Sequence, residues 1–211
     1  GFHAGDPNVM EKTIELAIKY DVKIGAHPSF FDLEGFGRRK VDLELNELES
    51  IILYQVSALK GITESYGKKL HHVKPHGALY NIASVNDDIA ETIVLTIKKI
   101  DPNLKLYGPS KMKWKEISKK HKIEYVSEVF SDRNYNDNLT LVDRNNENSM
   151  ITDIDNSINH LSRMIENGKV KTINKKLIDI DAETICIHGD QPNAHIFAKT
   201  IYNTFKSKIV K

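Results

Sequence analysis

Cysteine is almost absent from this sequence, which holds only Cys186, in the apolar stretch 184–187. One thiol cannot form a disulfide within the chain, so we expect a protein of the reducing cytoplasm. No apolar run approaches the roughly 20 residues that span a bilayer, so we expect no contact with membrane. An excess of one charge is also lacking, since 30 Lys and Arg stand against 29 Asp and Glu. A dedicated nucleic-acid surface needs a basic excess and is therefore not expected.

The sequence does contain a regular alternation of short apolar strands and amphipathic helices. Asp6 followed by Pro7 indicates a helix start, since Asp can cap a helix and Pro fits its first turn. Helical spacing of apolar residues predicts helices over 7–21, 45–66, 87–99, 110–121, 153–167 and 192–205. Short apolar runs predict strands over 22–26, 70–73, 104–107, 123–126, 170–173, 177–180 and 184–187, with a long polar loop at 132–149.

This alternation predicts an α/β fold whose parallel strands are joined by right-handed crossovers. The choice lies between an open doubly wound sheet and a β/α barrel. No Gly-rich dinucleotide turn follows an early strand, so we favour the barrel. No repeat, linker or low-complexity tract divides the chain, and we expect a single domain over residues 1–211.

Titratable side chains follow four of the predicted strands. They are His27, Lys74, His76, Glu128, Asp132, Arg133, His188 and Asp190. Because the carboxyl ends of parallel strands open onto one face, we expect these groups to gather there in one catalytic site. Histidine can act as acid, base or metal ligand near neutral pH, and lysine can hold an anion or polarise a carbonyl. The residue types indicate hydrolytic or proton-transfer chemistry.

A single histidine at a strand end is more often structural or solvated than functional. The coincidence of His3, His27, His76 and His188 reverses that expectation for the four as a group, though not for each one.

Six segments of the chain carry a more specific pattern. They are Gly-Phe-His-Ala-Gly-Asp-Pro at 1–7, Gly-Ala-His-Pro at 25–28, Gly-Phe-Gly-Arg-Arg at 35–39, His-Val-Lys-Pro-His-Gly-Ala-Leu-Tyr-Asn at 72–81, Glu-Val-Phe-Ser-Asp-Arg-Asn-Tyr at 128–135 and His-Gly-Asp at 188–190. Taken in order through the whole chain, these segments closely resemble the LamB/YcsF family. The most specific of them is Lys-Pro-His-Gly-Ala-Leu-Tyr at 74–80.

The resemblance implies a β/α barrel similar to the glycoside hydrolase/deacetylase fold. It implies a hydrolase that opens the lactam of 5-oxo-L-proline to L-glutamate, driven by hydrolysis of ATP, with Mg²⁺ accompanying the ATP. It also implies 5-oxoprolinase subunits B and C as partners. A lactam amide is a poor electrophile, and phosphorylation of its carbonyl oxygen would create a good leaving group before water attacks.

The same resemblance suggests roles for individual residues. His27 and His76 would be acid, base or ligand residues, Lys74 would neutralise phosphate or oxyanion charge, and His188 and Asp190 would position water or substrate. Arg38 and Arg133 would bind the substrate carboxylate or a phosphate in bidentate fashion. The remaining candidates for binding substrate or phosphate are His3, Asp6, Glu128 and Asp132.

The chain departs from the family pattern at its start, where an Asn-Cys-Asp-Leu-Gly-Glu segment normally precedes Gly-Phe-His. We therefore expect a barrel that lacks the usual N-terminal strand and has an unpaired edge. In the related deacetylase architecture, an Asp at that place joins two histidines around a divalent metal. Such an Asp-His-His site is not complete here, which leaves a divalent metal held by some of His3, His27 and His76 as an open alternative.

Three functions remain open from the sequence. The first is the subunit of an ATP-dependent lactam hydrolase, which the resemblance and the polar strand ends favour. The second is a metal-dependent carbohydrate deacetylase, which would need bound metal and no ATP. The third is an inactive, truncated subunit that only binds partners, and the missing first strand is its best support.

Overall fold

The computed structural model describes residues 1–191 and 193–209. They fall into two compact units, the first formed by Gly1–Gly108 with Met112–Val126 and the second by Pro109–Lys111 with Ser127–Lys211. The helices are α1 (Pro7–Lys19), α2 (Leu45–Ser65), α3 (Gly77–Ala83), α4 (Asp87–Ile100), α5 (Lys113–Lys120), α6 (Ile154–Asn167) and α7 (Ala194–Phe205). The strands are β1 (Gly25–Ala26), β2 (His72–Val73), β3 (Lys105–Pro109), β4 (Tyr125–Phe130), β5 (Lys169–Lys171), β6 (Leu177–Asp179) and β7 (Thr184–Cys186). That 1–211 is a single domain stays a prediction.

In the first unit the strands pair in parallel and in chain order. Gly25 of β1 lies opposite His72 of β2, and His72 lies opposite Lys105 of β3. The backbone N–H of Leu106 in β3 donates to the carbonyl of Glu124, directly before β4. Helices connect each strand to the next. Parallel strands that pair in chain order with helices between them are the arrangement of a β/α barrel, so the predicted fold class is confirmed.

The core of the first unit lies between its strands and the helices α2 and α4, which pack against each other. Ile52 and Val56 of α2 and Ile93 and Ile97 of α4 have no exposed surface. In each pair the residues are four positions apart, which places them on one face of the helix. Burying each such side chain contributes about 1.5–3 kcal/mol, and this packing fixes α2 as a rigid support for the strand ends.

In the second unit β4 and β7 are parallel, with Phe130 opposite Cys186. Strands β5 and β6 form the antiparallel hairpin that the sequence suggests, with Val170 opposite Ile178. Helix α6 packs against β5. It begins after Asp153, whose side chain caps it, and ends at Gly168 in the left-handed conformation.

The predicted strands 22–26 and 70–73 are shorter in the structure, as β1 and β2, and three further differences concern β4, α5 and α3. Strand β4 runs to Phe130, so Glu128 lies inside the strand and not after it, opposite Thr184. Helix α5 starts at Lys113, three residues later than predicted, because Lys111 has a left-handed φ of 59° that a helix cannot include. Helix α3 was not predicted, since seven residues are too few for a helical period to show.

The last predicted helix, 192–205, corresponds to α7, and its first residue, Pro192, lies outside the described residues. Among the helices of the described ranges, none is both long and apolar enough to cross a membrane.

Candidate functional site

Three of the predicted histidines come together in the first unit. His3 precedes α1, His27 directly follows β1, and His76 follows β2 at the N-cap of α3. Each ring offers one nitrogen, and the three nitrogens all lie within 4.8 Å of one another. The rings of His3 and His76 stack with centroids 3.8 Å apart, and Nδ1 of His76 lies 2.9 Å from Nε2 of His27. We call these three residues the histidine cluster.

Hydrogen bonds at the other edges of the rings determine where the protons lie. His27 donates from Nδ1 to the carbonyl of Lys74 at 2.5 Å, and His76 donates from Nε2 to the carbonyl of Phe36 at 2.7 Å. A carbonyl can only accept, so in a neutral ring the opposite nitrogen carries a lone pair. Nε2 of His27 and Nδ1 of His76 are therefore two acceptors that face each other.

His3 follows the same pattern. The hydroxyl of Ser29 donates to the carbonyl of Phe30 at 2.8 Å, which leaves its oxygen free to accept from Nδ1 of His3 at 2.9 Å. Nε2 of His3 is then also an acceptor. Histidines that bind metals usually donate their second ring N–H to a carbonyl or a similar acceptor. The acceptor nitrogens of His27 and His76, 2.9 Å apart, repel each other unless a proton or cation lies between them, and a nitrogen of His3 lies within 4.8 Å of both, so the cluster fits a divalent metal.

The surroundings keep the imidazoles of His3 and His27 neutral. Burial, followed by the neighbouring His76, lowers the pKa of His3 to about 3. Desolvation, followed by the Lys74 ammonium and then His76, holds the pKa of His27 well below its ordinary value. The His27 residue is exposed, but its Nδ1 is bound to a backbone carbonyl and its Nε2 lies against His76, so water solvates the imidazolium poorly. Neutral imidazoles are the form that binds a metal.

The loop 32–39 between β1 and α2 packs directly on the cluster. Gly37 has a φ of 66°, and a Cβ there would lie 3.0 Å from side-chain atoms of His3, Ser29 and His76. Phe36 has a left-handed φ of 54°, which is strained for a residue with a side chain, and its carbonyl accepts from His76. The backbone of this loop therefore sets the orientation of His76, and only glycine fits at position 37.

Asp32 holds this loop in place. Its carboxylate accepts from the backbone N–H of Gly35 at 3.0 Å and of Arg39 at 3.2 Å, and it forms an ion pair with the Arg39 guanidinium. The hydrogen bond from Arg39 is the main cause that lowers the pKa of Asp32 to about 2. The sequence analysis missed Asp32, although an aspartate three residues before a Gly-Phe-Gly-Arg-Arg segment was an available signal.

Gln55 of α2 joins the segments that carry His3 and His27. Its Oε1 accepts from the backbone N–H of Phe2 and of Ser29, both at 3.1 Å. Its Nε2 donates to the carbonyl of Ser29 at 2.8 Å and to that of Ile51 at 3.0 Å. The residue is 4% exposed. The sequence analysis missed this role, for which an amide within the apolar pattern of the predicted helix 45–66 was the signal.

Three further predicted residues lie in the first unit. Lys74 borders the cluster, since its carbonyl accepts from His27 and its charge lowers the pKa of that ring. The Arg38 guanidinium lies 5.0 Å from the centre of the Phe36 ring, and its charge contributes to the low pKa of His3. Asp6 accepts from the backbone N–H of Val9 at 2.8 Å as the N-cap of α1. The structure therefore gives Asp6 a helix-capping role, and substrate binding by it stays a prediction.

The second unit brings together Asp132 and His188. His188 donates from Nδ1 to Oδ2 of Asp132 at 2.8 Å, and its ring stacks on Phe130 with centroids 5.8 Å apart. The Asp132 side chain is fully buried. The carboxylate fixes the tautomer that leaves Nε2 of His188 as an acceptor, 3.5 Å from a guanidinium nitrogen of Arg144. The pair can orient a base or a ligand, and Arg144 is a neighbour that the sequence analysis missed.

The remaining predicted residues of the second unit lie in different environments. Arg133 is 4% exposed, and its guanidinium donates to the carbonyls of Ser149, at 3.3 Å, and Val142. It therefore fixes the loop 132–149, and its binding role stays a prediction. Glu128 is buried within β4, and Asp190 is exposed after β7. The gathering of all candidate residues at one catalytic face also stays a prediction.

Comparison with known proteins gives consistent matches over nearly the whole chain. The LamB/YcsF family matches residues 1–211. The A subunit of 5-oxoprolinase from Bacillus cereus (strain 03BB102) is 45% identical over 207 residues, which cover 98% of this chain and 82% of that protein. Its counterpart in Bacillus cytotoxicus is 43% identical over 206 residues, again with 98% and 82% coverage.

A solved structure supports the same assignment. The crystal structure of a lactam utilization protein from Thermus thermophilus superimposes with a TM-score of 0.90 at 36% sequence identity. The match covers 99% of this chain and 83% of that one. The histidines of the cluster lie in the segments that carry the family pattern. The chain is a member of the LamB/YcsF family.

Proposed function

We propose that this chain is a subunit of an ATP-dependent 5-oxoprolinase, a hydrolase that opens the lactam of 5-oxo-L-proline to L-glutamate. The observation that carries the proposal is the similarity to the A subunit of 5-oxoprolinase over 98% of the chain. Because those relatives are named as one subunit, we also propose subunits B and C as partners. ATP, with Mg²⁺, would drive the reaction, since amide hydrolysis needs an activated carbonyl.

In this proposal the residues of the chain take complementary roles. Phosphorylation by ATP would turn the lactam oxygen into a leaving group, and attack by water would then need an acceptor for a proton. His27 and His76 have acceptor nitrogens that suit this task while no cation occupies them. The Lys74 ammonium, close enough to lower the pKa of His27, would neutralise oxyanion or phosphate charge. His188, oriented by Asp132, would position water or substrate.

We also propose that His3, His27 and His76 hold a divalent cation. The support is the convergence of three acceptor nitrogens whose opposite ring edges are fixed by Ser29 and by two backbone carbonyls. When bound, a divalent cation would supply Lewis-acid polarisation of a carbonyl or phosphoryl oxygen. The chain's own contribution is to keep His3 and His27 neutral and to hold all three rings in fixed orientation.

The test is 5-oxoproline-dependent hydrolysis of ATP with subunits B and C added. We expect turnover with the natural chain and its loss in His76→Asn, because an amide replaces the imidazole nitrogen and is neither a base near neutral pH nor a strong ligand for a cation. The matched control is His195→Asn, an exposed histidine on α7, which should keep normal turnover. No turnover with the natural chain, or normal turnover of His76→Asn, would refute the proposal.

A second candidate is a metal-dependent deacetylase of N-acetylated sugars, and the histidine cluster is the observation that favours it. This reaction would release acetate with a divalent metal present and without ATP. Acetate release from N-acetylglucosamine oligomers separates the two functions. We expect none; ATP-independent release that His76→Asn abolishes would replace the first proposal.

A further inference from the structure

The second unit carries a cleft that the proposed reaction does not use. It lies beside α6 and β5 and has a volume of about 580 Å³. Ligand-binding clefts of proteins ordinarily measure roughly 300–1,000 Å³, so a small organic molecule fits. Asparagine and threonine side chains form much of the wall, together with the apolar Ile151 and Ile173. A wall of this kind suits a ligand with several hydrogen-bonding groups.

Three cations in the wall are uncompensated. Arg163, Lys171 and Lys175 make no side-chain ion pair or hydrogen bond with any other part of 1–191 and 193–209. The neighbouring Lys169 and Lys176, by contrast, are bound to Asp179 and Asp137.

The acidic content of the wall is small. Among its described residues the only carboxylate is Asp153, which accepts from the backbone N–H of Asn156 as the N-cap of α6. Three cations against one carboxylate leave a positive excess, and the N-terminus of α6 adds to it. The cleft therefore favours an anionic ligand.

His160, also in the wall, provides a second and independent observation. The residue is 6% exposed, and its Nε2 has no hydrogen-bond partner among the described residues. The other ring nitrogen donates to the backbone carbonyl of Arg133, so Nε2 is the acceptor in the neutral ring. Burial, followed by the charge of Arg163, lowers the pKa of His160 to about 4. A buried acceptor without a donor is uncommon in folded proteins, and a ligand hydroxyl would supply that donor.

We propose that this cleft binds a phosphate monoester of a polyhydroxy compound. The phosphate would lie on Arg163, Lys171 and Lys175, since a guanidinium binds phosphate in bidentate fashion and lysine adds charge. A hydroxyl of the same ligand would donate to Nε2 of His160. Inorganic phosphate bound on the three cations has no hydroxyl beyond the phosphate group itself to reach His160, and a neutral sugar would leave the cations uncompensated. The inference is independent of the lactam reaction and of the histidine cluster.

The test is a calorimetric titration with ribose 5-phosphate and with its two parts, ribose and inorganic phosphate. We expect ribose 5-phosphate to bind at least tenfold more tightly than inorganic phosphate, and ribose to show no binding. Lys171→Glu and Lys175→Glu should each weaken binding of ribose 5-phosphate at least fivefold. Lys199→Glu, the same change on the exposed face of α7, is the matched control and should leave the affinity unchanged.

His160→Phe tests the hydroxyl contact, because phenylalanine keeps a ring of similar size but has no acceptor nitrogen. We expect the affinity for ribose 5-phosphate to fall to that for inorganic phosphate, while inorganic phosphate itself is unaffected. If this variant does not fold, the ¹⁵N resonance of His160 Nε2 in the natural chain should shift with ribose 5-phosphate and not with phosphate.

A third ligand, AMP, distinguishes a nucleotide from a free sugar phosphate as the natural ligand. Tighter binding of AMP than of ribose 5-phosphate supports a nucleotide, and equal or weaker binding supports a free sugar phosphate. Equal binding of ribose 5-phosphate and inorganic phosphate, or equal losses in Lys171→Glu and Lys199→Glu, would overturn the proposal.

Discussion

Replacing Gln55 with leucine should destabilise the protein and displace two residues at the histidine cluster. Leucine has a similar size but makes none of the four hydrogen bonds of the buried amide. The bond to Ile51 matters least, since that carbonyl lies within a helix. The backbone N–H of Phe2 and both backbone groups of Ser29 lose a partner, at about 1 kcal/mol or more each. We therefore expect the free energy of unfolding to fall by about 3 kcal/mol or more, a large share of the total for a domain.

Urea unfolding followed by circular dichroism measures this loss. Ser57→Leu, an exposed change on the same helix, is the matched control and should alter the free energy of unfolding by less than about 0.5 kcal/mol. Because Ser29 accepts from His3, Gln55→Leu should also weaken binding of a divalent cation. A loss below about 1 kcal/mol with unchanged cation binding would refute the role given to Gln55.

Three further predictions follow from the same contacts. Gly77→Ala should lower the free energy of unfolding by about 2–3 kcal/mol in urea melts, because φ is 56° and the new Cβ would meet the carbonyl of Gly37. Asp132→Asn should reduce 5-oxoproline-dependent turnover at least tenfold without loss of stability, because an amide oxygen is a weaker acceptor than a carboxylate for Nδ1–H of His188. Turnover equal to that of the natural chain would contradict this. The folded-state pKa of His160 is lowered from 6.5 to about 4, so the unfolded chain binds its proton first and stability falls as the pH drops through that window. Between neutral pH and about pH 4, the natural chain should therefore lose about 3 kcal/mol more than His160→Gln in urea melts, and equal losses would contradict the shift.

The sequence was sufficient for the fold class because the signals for it are local. Helices α2, α4 and α6 have caps and apolar periods within their own residues, and their observed bounds lie close to the predicted ones. The predicted ends of elements were wrong where a pairing strand distant in the sequence determines them. Strand β4 extends to Phe130 because β7 pairs with it there, and no pattern within 123–130 predicts that pairing.

The residues of the candidate site also fall into those that the sequence indicates and those that only the fold reveals. The grouping of His3, His27 and His76 could be predicted, because His27 and His76 follow strands and all three lie in the family pattern, and the structure places them together. Gln55 and Asp32 could not, since each acts through backbone groups that only the fold brings near. For the same reason the proton positions on the three rings could not be predicted.

The most direct test of the histidine cluster is an equilibrium titration of the metal-free chain with Zn²⁺. We predict one tightly bound cation in the natural chain and in His195→Asn. In His76→Asn, which removes one of the three converging nitrogens, we predict binding at least about a hundredfold weaker. Equal affinity in all three proteins would contradict the assignment of this cluster as a cation site.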